Sequence, residues 1–434
     1  MVGQLRTIQE VELRGKCVLL RADYNVPLKS DGSIADDYRI RQSLPTINYI
    51  LKQEPARLII ISHLGRPKSA QDKQLSLKPV AKRLSTLLDR SVHLISDCIG
   101  QVVKDGLKAS DSKIVMLENL RFHPEEEKND LDFAKDLIES TGAEVFIADG
   151  FGVVHRAHAS TDAAVRLLPA AAGLLVEKEV EAISSVMDNP KRPLVAVIGG
   201  AKIADKIEVI KRFIEIADCV AVGGALANDF LKAQNIKVGA SLYDQAELGL
   251  AREILALAHK TERKRNFTFL VPVDSVVSTS DGGKLPTRVV ELSEHVLSDI
   301  EYYPKLPPAK VSNVASDEKI LDIGPVSAAR ISGAVNMAAT VVWSGTLGMA
   351  EVPGIAGARA PFSHGTRTVV EAIIGATNTH ANKPFSLVGG GDTVAYVESQ
   401  GLLEDFNHVS TGGTASLELM AGKKLPGLEA LRKK

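Results

Sequence analysis

Ten short apolar runs recur along the chain and constrain its fold more than any other feature. They are CVLLR from 17, RLIIIS from 57, KIVML from 113, EVFIAD from 144, PLVAVIG from 193, DCVAVGG from 218, TFLVPVD from 268, KILDIG from 319, TVVWSG from 340 and FSLVGGG from 385. Their apolarity is continuous rather than alternating, the pattern of strands covered on both faces. Amphipathic stretches stand between them, with Val80, Leu84, Leu87 and Leu88 in KPVAKRLSTLLDR, and Ile207, Ile210, Phe213 and Ile214 in KIEVIKRFIEIA, at helical spacing. Strand and helix alternating over the whole length predicts an α/β fold. Its doubly wound, Rossmann-like parallel sheets would carry helices on both sides and ligand sites beyond the strands' carboxyl ends.

Ten strands exceed one comfortable core, and 434 residues allow two or three domains. The sequence places the break in EKEVEAISSVMDNPKRP, giving lobes at 1–176 and 194–404 with a hinge helix and linker at 177–193. That helix is expected to end at Asn189-Pro190, because proline disfavours helix in the residue before it. The stretch from 278 to 310 is polar and proline-bearing and reads as a surface excursion.

Composition removes several function classes. Fifty-two Lys and Arg against 53 Asp and Glu leave a net charge of -1, so no global basic field recruits nucleic acid or an anionic membrane. Any anion site must be locally built. No apolar run approaches the roughly 18 residues of a spanning helix, and the first residues lack an apolar signal core, so a cytoplasmic protein is expected. Cys17, Cys98 and Cys219 show no metal-ligand spacing and read as packing residues.

The first half concentrates cationic side chains after its strands. LLRADYNVPL sets Arg21, Asp23 and Asn25 at alternate positions, which on a strand would face one way together. Either they meet a polar ligand or Arg21 and Asp23 close an internal ion pair. DDYRI adds Arg39, ISHLGRP adds His63 and Arg66, ENLRFH adds Arg121, and GFGVVHRAHAS adds His155, Arg156 and His158. Guanidinium forks suit carboxylate and phosphate, so the implied ligand is small and multiply anionic.

The second half carries glycine-rich turns. VIGGAKIADKIEVIKRF brings two glycines, then Lys202 and Lys206, expected at i, i+4 on the first helical turns. VGGGDTVAYVE brings Gly390, Gly391, Asp392 and Thr393 to a helix start, and VVWSGTLGMAE brings Glu351. Glycines let backbone approach a phosphate, and a helix N-terminus offers free N–H groups. Asp392 reads either as a plain N-cap or as a magnesium partner beside a nucleotide's phosphates.

The ordered set LLRADYNVPL, ISHLGRP, MLENLRFH, VVHRAHAS, IGGAKIADK, VGGGDT and HVSTGGTASLELMAGKKLPG resembles the phosphoglycerate kinase family over nearly the whole chain. The resemblance implies two lobes around a cleft, closure on substrates, a tail at 405–434 packing back on the first lobe, and a monomer. It implies that 3-phosphoglycerate or 1,3-bisphosphoglycerate binds Asp23, Asn25, Arg39, His63, Arg66, Arg121 and Arg156. ADP or ATP would bind Lys206, Glu351, Gly390, Gly391, Asp392 and Thr393, with Asp392 holding Mg²⁺. Arg39 and Lys202 would act in catalysis on the migrating phosphoryl group. Three departures stand out: Ser344-Gly345-Thr346 where the family usually shows Asn-Gly-Pro, Thr414 where it shows a third glycine, and a longer 278–310 excursion. They motivate a second reading, a ligand sensor or scaffold without turnover. A dinucleotide oxidoreductase would need GxGxxG after a strand, and none is present.

Overall fold

A computed structural model describes residues 3–69, 72–292, 314–355, 360–376 and 383–433. The chain divides into two compact units, one of Met1–Ser184, Thr414–Leu419 and Lys423–Lys434, the other of Ser185–Gly413 and Met420–Gly422. The division falls inside the helix Leu174–Asp188, which stops one residue before Asn189-Pro190.

The first unit holds β1 (Cys17–Arg21), β2 (Arg57–Ile61), β3 (Val92–Ile95), β4 (Ile114–Leu117), β5 (Val145–Ala148) and β6 (Ala170–Ala172). They form one parallel sheet ordered β3-β4-β2-β1-β5-β6. Arg21 lies opposite Ile61 on one side and Ala148 on the other, so the three central strands end flush and release their loops at one rim. One face of the sheet buries Val18, Leu20, Leu58, Ile60 and Met116 against Ile40, Ile47 and Ile50 of the helix Tyr38–Lys52. Each such side chain contributes about 1.5–3 kcal/mol. That packing fixes where Arg39, the second residue of the helix, begins.

The second unit holds β7 (Leu194–Ile198), β8 (Cys219–Val222), β9 (Thr268–Leu270), β10 (Asp274–Ser278), β11 (Arg288–Glu291), β12 (Lys319–Ile323), β13 (Thr340–Ser344), β14 (Phe385–Gly389) and β15 (His408–Val409). Six make a parallel sheet ordered β15-β14-β13-β7-β8-β9, and Ser344 stands opposite both Ile198 and Gly389. The other three form an antiparallel sheet ordered β11-β10-β12.

All ten apolar runs contain a strand, but not every expectation about them holds. KILDIG forms β12 of the antiparallel sheet, because its partner β10 runs the opposite way. β11 lies inside the expected 278–310 excursion, whose part from 293 onward falls outside the described residues. The tail drawn from 405 starts later, since His408–Val409 pairs with β14 in the second unit. No described helix is long and apolar enough to cross a membrane.

Candidate functional site

In the first unit β1 ends at Arg21, and Asp23 and Asn25 lie beyond it in a loop held by its own polar groups. Asn25 N donates to Asp23 Oδ1 at 3.1 Å, and Asn25 Oδ1 accepts from Gly65 N at 2.8 Å. The three residues therefore gather at the rim by loop geometry rather than by strand alternation. Nor do Arg21 and Asp23 pair with each other. Asp23 takes the Arg39 guanidinium, while the buried Arg21 donates to Ser160 Oγ at 2.7 Å and sits 3.9 Å from Glu126.

His63 is the centre of this group. Its buried imidazole lies 3.4 Å from Arg21 Nη2 and 3.9 Å from Asp23. Burial, then the guanidiniums of Arg21, Arg121, Arg39 and Arg156, hold its pKa well below the ordinary value. His63 is consequently neutral at pH 7. Arg121 donates from Nη1 to Gly65 O at 2.7 Å and has Nε 3.0 Å from Glu127 Oε1, and its buried Nη2 has no hydrogen-bond partner among the described residues. Arg156 is half-buried and donates to His155 Nε2 at 3.1 Å; Arg66 is exposed on the loop after β2. A buried guanidinium nitrogen left unpaired costs about 1–3 kcal/mol, which a bound anion would offset.

Two supporting residues escaped sequence reasoning. Asn119 ties the loop after β2 to the turn after β4: Oδ1 accepts from Leu64 N and Arg121 N, and Nδ2 donates to Leu64 O at 2.7 Å and Leu75 O at 2.9 Å. Glu126, fully buried, accepts from Ser160 N at 2.9 Å and Ser160 Oγ at 2.5 Å and faces Arg21 and His158, each 3.9 Å away. It belongs to HPEEEKND, a charge run that reads as solvated, and nothing in the pattern marks it out.

In the second unit the turn after β7 passes close to the loop after β13. A Cβ on Gly199 would lie 2.0 Å from Thr346 O, so only glycine fits. The following helix starts at Ile207, which leaves Lys206 at the N-cap position and exposed Lys202 in the loop, not on helical turns as expected. Lys206 turns inward, donating to Gly199 O at 2.6 Å and Ser344 O at 2.9 Å. Desolvation by burial brings its pKa down to about 8, against the opposing pull of Asp392 and Asp205. After β14, Gly390 is the N-cap at φ 97°, a left-handed value that favours glycine, so Asp392 is not the cap but an exposed residue of the first turn. Gly391 opens that helix, and Thr393 is buried, its hydroxyl accepting from Gly345 N at 2.6 Å.

A cavity of about 970 Å³ lies in this unit, large enough for a nucleotide. Gly200, Leu321, Thr346 and Tyr396 line it, and of the expected residues so do Glu351 and Asp392. Lys202, Lys206, Gly390, Gly391 and Thr393 are not part of its lining. Buried Asp322 also faces it, raised to about 7 by desolvation although it accepts from Gly365 N at 2.8 Å and Ile323 N at 2.9 Å.

Guanidiniums at the strand ends of one doubly wound unit, and glycine turns, lysines and a nucleotide-sized cavity at those of the other, define a phosphoryl-transfer α/β protein. The comparisons narrow this to one family. The phosphoglycerate kinase family model matches residues 8–423. The phosphoglycerate kinase of Moorella thermoacetica is 42% identical over 429 residues, 99% of each chain, and that of Anaeromyxobacter dehalogenans 44% over 430 residues, 98% of this chain and 99% of its own. The structure of phosphoglycerate kinase from Coxiella burnetii superposes with a TM-score of 0.78 at 35% identity, covering 99% of both chains. The chain belongs to the phosphoglycerate kinase family, whose activity is the phosphoryl transfer of glycolysis.

Proposed function

We propose that the chain transfers the acyl phosphate of 1,3-bisphosphoglycerate to MgADP, reversibly, giving 3-phosphoglycerate and MgATP. The observation that carries this reading is the group of guanidiniums around neutral His63, with Arg121 Nη2 unpaired: a donor set for a small ligand bearing both carboxylate and phosphate. Asp23, Asn25, Arg39, His63, Arg66, Arg121 and Arg156 bind that ligand. Neutral His63 serves as a hydrogen-bonding group and adds no charge.

On the second unit the glycine turns and the cavity receive the nucleotide. Glu351 accepts from ribose, and Lys206, Gly390, Gly391 and Thr393 shape the phosphate end. Thr393 and Lys206 do so by holding the loop after β13, to which their side chains bond. Magnesium accompanies the nucleotide, neutralising phosphate charge. Asp392 fits it, because a hard ion that keeps waters and phosphate oxygens asks little more of a protein than one accessible carboxylate. The small anionic substrates need no nucleic acid or membrane partner, and the reading takes a monomeric cytoplasmic enzyme, as the family resemblance implies.

In the transfer a P–O bond to the acyl oxygen breaks as one to the terminal ADP oxygen forms, with no proton moved and no side-chain nucleophile needed. Arg39 and Lys202 stabilise charge on the migrating group. The test is coupled turnover of 3-phosphoglycerate with MgATP, alongside Arg39→Ala and Lys202→Ala. Each variant is expected to lose roughly 10³-fold or more in kcat while still binding ligand by calorimetry. A wild-type chain that binds both substrates without turnover would instead establish the sensor reading.

A further inference from the structure

Outside both ligand sets, one group of side chains brings together three different donor types. Asp97 and Cys98 follow β3, and His123 follows the turn Leu120–Phe122 after β4. β3 and β4 are parallel neighbours, with Ile95 opposite Leu117, so the two loops leave the sheet side by side. A carboxylate oxygen, a thiol sulfur and an imidazole nitrogen from these residues all lie within 4.8 Å of one another. His123 Nε2 is 2.7 Å from Asp97 Oδ1, which also accepts from Cys98 N at 2.7 Å.

The backbone carrying these groups is fixed independently. Glu118 N donates to Asp97 O at 3.4 Å, His123 N to Leu120 O and Glu126 N to His123 O, each at 3.1 Å, and the His123 ring packs on Phe133 with centroids 5.5 Å apart. Sequence spacing gave no sign of the cluster, because 24 residues, with a helix and a strand among them, separate Cys98 from His123.

We propose that Asp97, Cys98 and His123 form a three-ligand site for a soft divalent cation of the zinc class. Thiolate and imidazole donors select zinc over magnesium and calcium, which take oxygen. Two negative ligands, Asp97 and the Cys98 thiolate, with a neutral His123, balance the ion's charge. Three protein ligands leave a fourth tetrahedral position for water. Ligand atoms 2.0–2.3 Å from a tetrahedral ion stand about 3.5 Å apart. The ion therefore opens the Asp97–His123 hydrogen bond by under about 1 Å and draws the sulfur, within 4.8 Å of both, inward.

Access is one-sided: Cys98 is buried, whereas the side chains of His123 and Asp97 are 26% and 37% exposed. The ion enters past the imidazole and carboxylate and meets the sulfur last. Binding exchanges the S–H bond of Cys98 for a metal–sulfur bond and releases the proton to solvent.

The full chain, stripped with a chelator, is titrated with Co²⁺ and then with Zn²⁺. One equivalent of Co²⁺ is expected to give tetrahedral visible bands and a near-ultraviolet thiolate-to-cobalt band, both displaced by Zn²⁺. Cys98→Ser should abolish the thiolate band, and His123→Gln, at a partly exposed position, should weaken Zn²⁺ binding at least tenfold. Circular dichroism melts verify that both variants are folded. No thiolate band in the wild-type chain, a band surviving in Cys98→Ser, or unchanged Zn²⁺ affinity in His123→Gln would overturn the proposal.

Discussion

Lys206 is bound to Ser344: its ammonium donates to the Ser344 carbonyl oxygen at 2.9 Å and lies 3.4 Å from the hydroxyl. With the bond to Gly199 O, this lysine joins the ends of β7 and β13, where the two strands run in register up to Ile198 and Ser344. A lysine that reads in sequence as a point charge for phosphate is equally a clamp on the backbone that phosphate would approach.

Lys206→Met therefore removes two roles at once. It takes the donor from the buried Gly199 carbonyl, whereas Ser344 O keeps Gly199 N at 2.9 Å. The substitution costs about 1–3 kcal/mol and weakens MgADP binding. The pH dependence separates the roles. Lys206 is lowered from 10.5 to about 8, so between those values the unfolded chain holds a proton that the folded chain has lost, and this group's contribution to stability rises with pH. The wild type is expected to gain stability relative to Lys206→Met from pH 8 to 10.5, read as the difference in urea midpoints. A constant difference would refute the buried ammonium.

Glu126 balances Arg21 in a place water does not reach. Glu126→Gln keeps the shape but leaves a buried guanidinium without its charge partner, and the expected loss is about 3–5 kcal/mol. Chemical denaturation measures it. A loss below 1 kcal/mol would mean that Arg21 leans on Asp23 instead.

Two histidines of this unit contribute to its acid sensitivity. Desolvation, then the charges of Arg121, Arg21 and Arg156, lowers His158 from 6.5 to about 4, and His63 is lowered in the same direction. Between pH 6.5 and 4 the unfolded chain binds protons at these histidines that the folded chain refuses, so their contribution to stability falls as pH falls through that window, opposed by buried Asp149, whose carboxyl is raised to about 7. His158→Gln should flatten the fall. In proton NMR the His63 ring should hold its neutral shift at pH 6, both in the free chain and with a polyanionic ligand bound among the arginines.

What was legible in the sequence follows from the range of each interaction. Continuous apolar runs and helical spacing are local, so all ten runs contain strands and the helices Lys78–Leu88 and Ile207–Ile216 stand where Val80, Leu84, Ile210 and Phe213 place them. Among the strands left unread, Ala170–Ala172 has no β-branched residue and Val92–Ile95 buries only its last residue fully, whereas Asp274–Ser278 is buried throughout but carries Asp or Ser at three of its five positions. The arginines after the strands were readable because parallel order alone sends their loops to one rim. Glu126 and Asn119 were not, because what distinguishes them is a partner 34 or 55 residues away. The helix boundary at Ile207 also lay hidden, since Lys202 and Lys206 fit helical spacing whether or not the turn between them is helical.

Gly173 and Asp149 make the tightest local test of the first unit. Asp149, fully buried after β5, accepts from Leu175 N at 3.0 Å and so caps the first turn of the helix Leu174–Asp188. A Cβ on Gly173 would lie 2.2 Å from Asp149 Oδ1 and 2.6 Å from its Cγ. Gly173→Ala is expected to cost about 1–3 kcal/mol from overlap alone, and more if Leu175 N is left unpaired. Asp149→Ala removes both the overlapping oxygen and the Cγ, so the double variant should be clearly more stable than the two single losses add up to. Thermal midpoints of the four proteins decide the matter, and strict additivity would show that the glycine is there for some reason other than this contact.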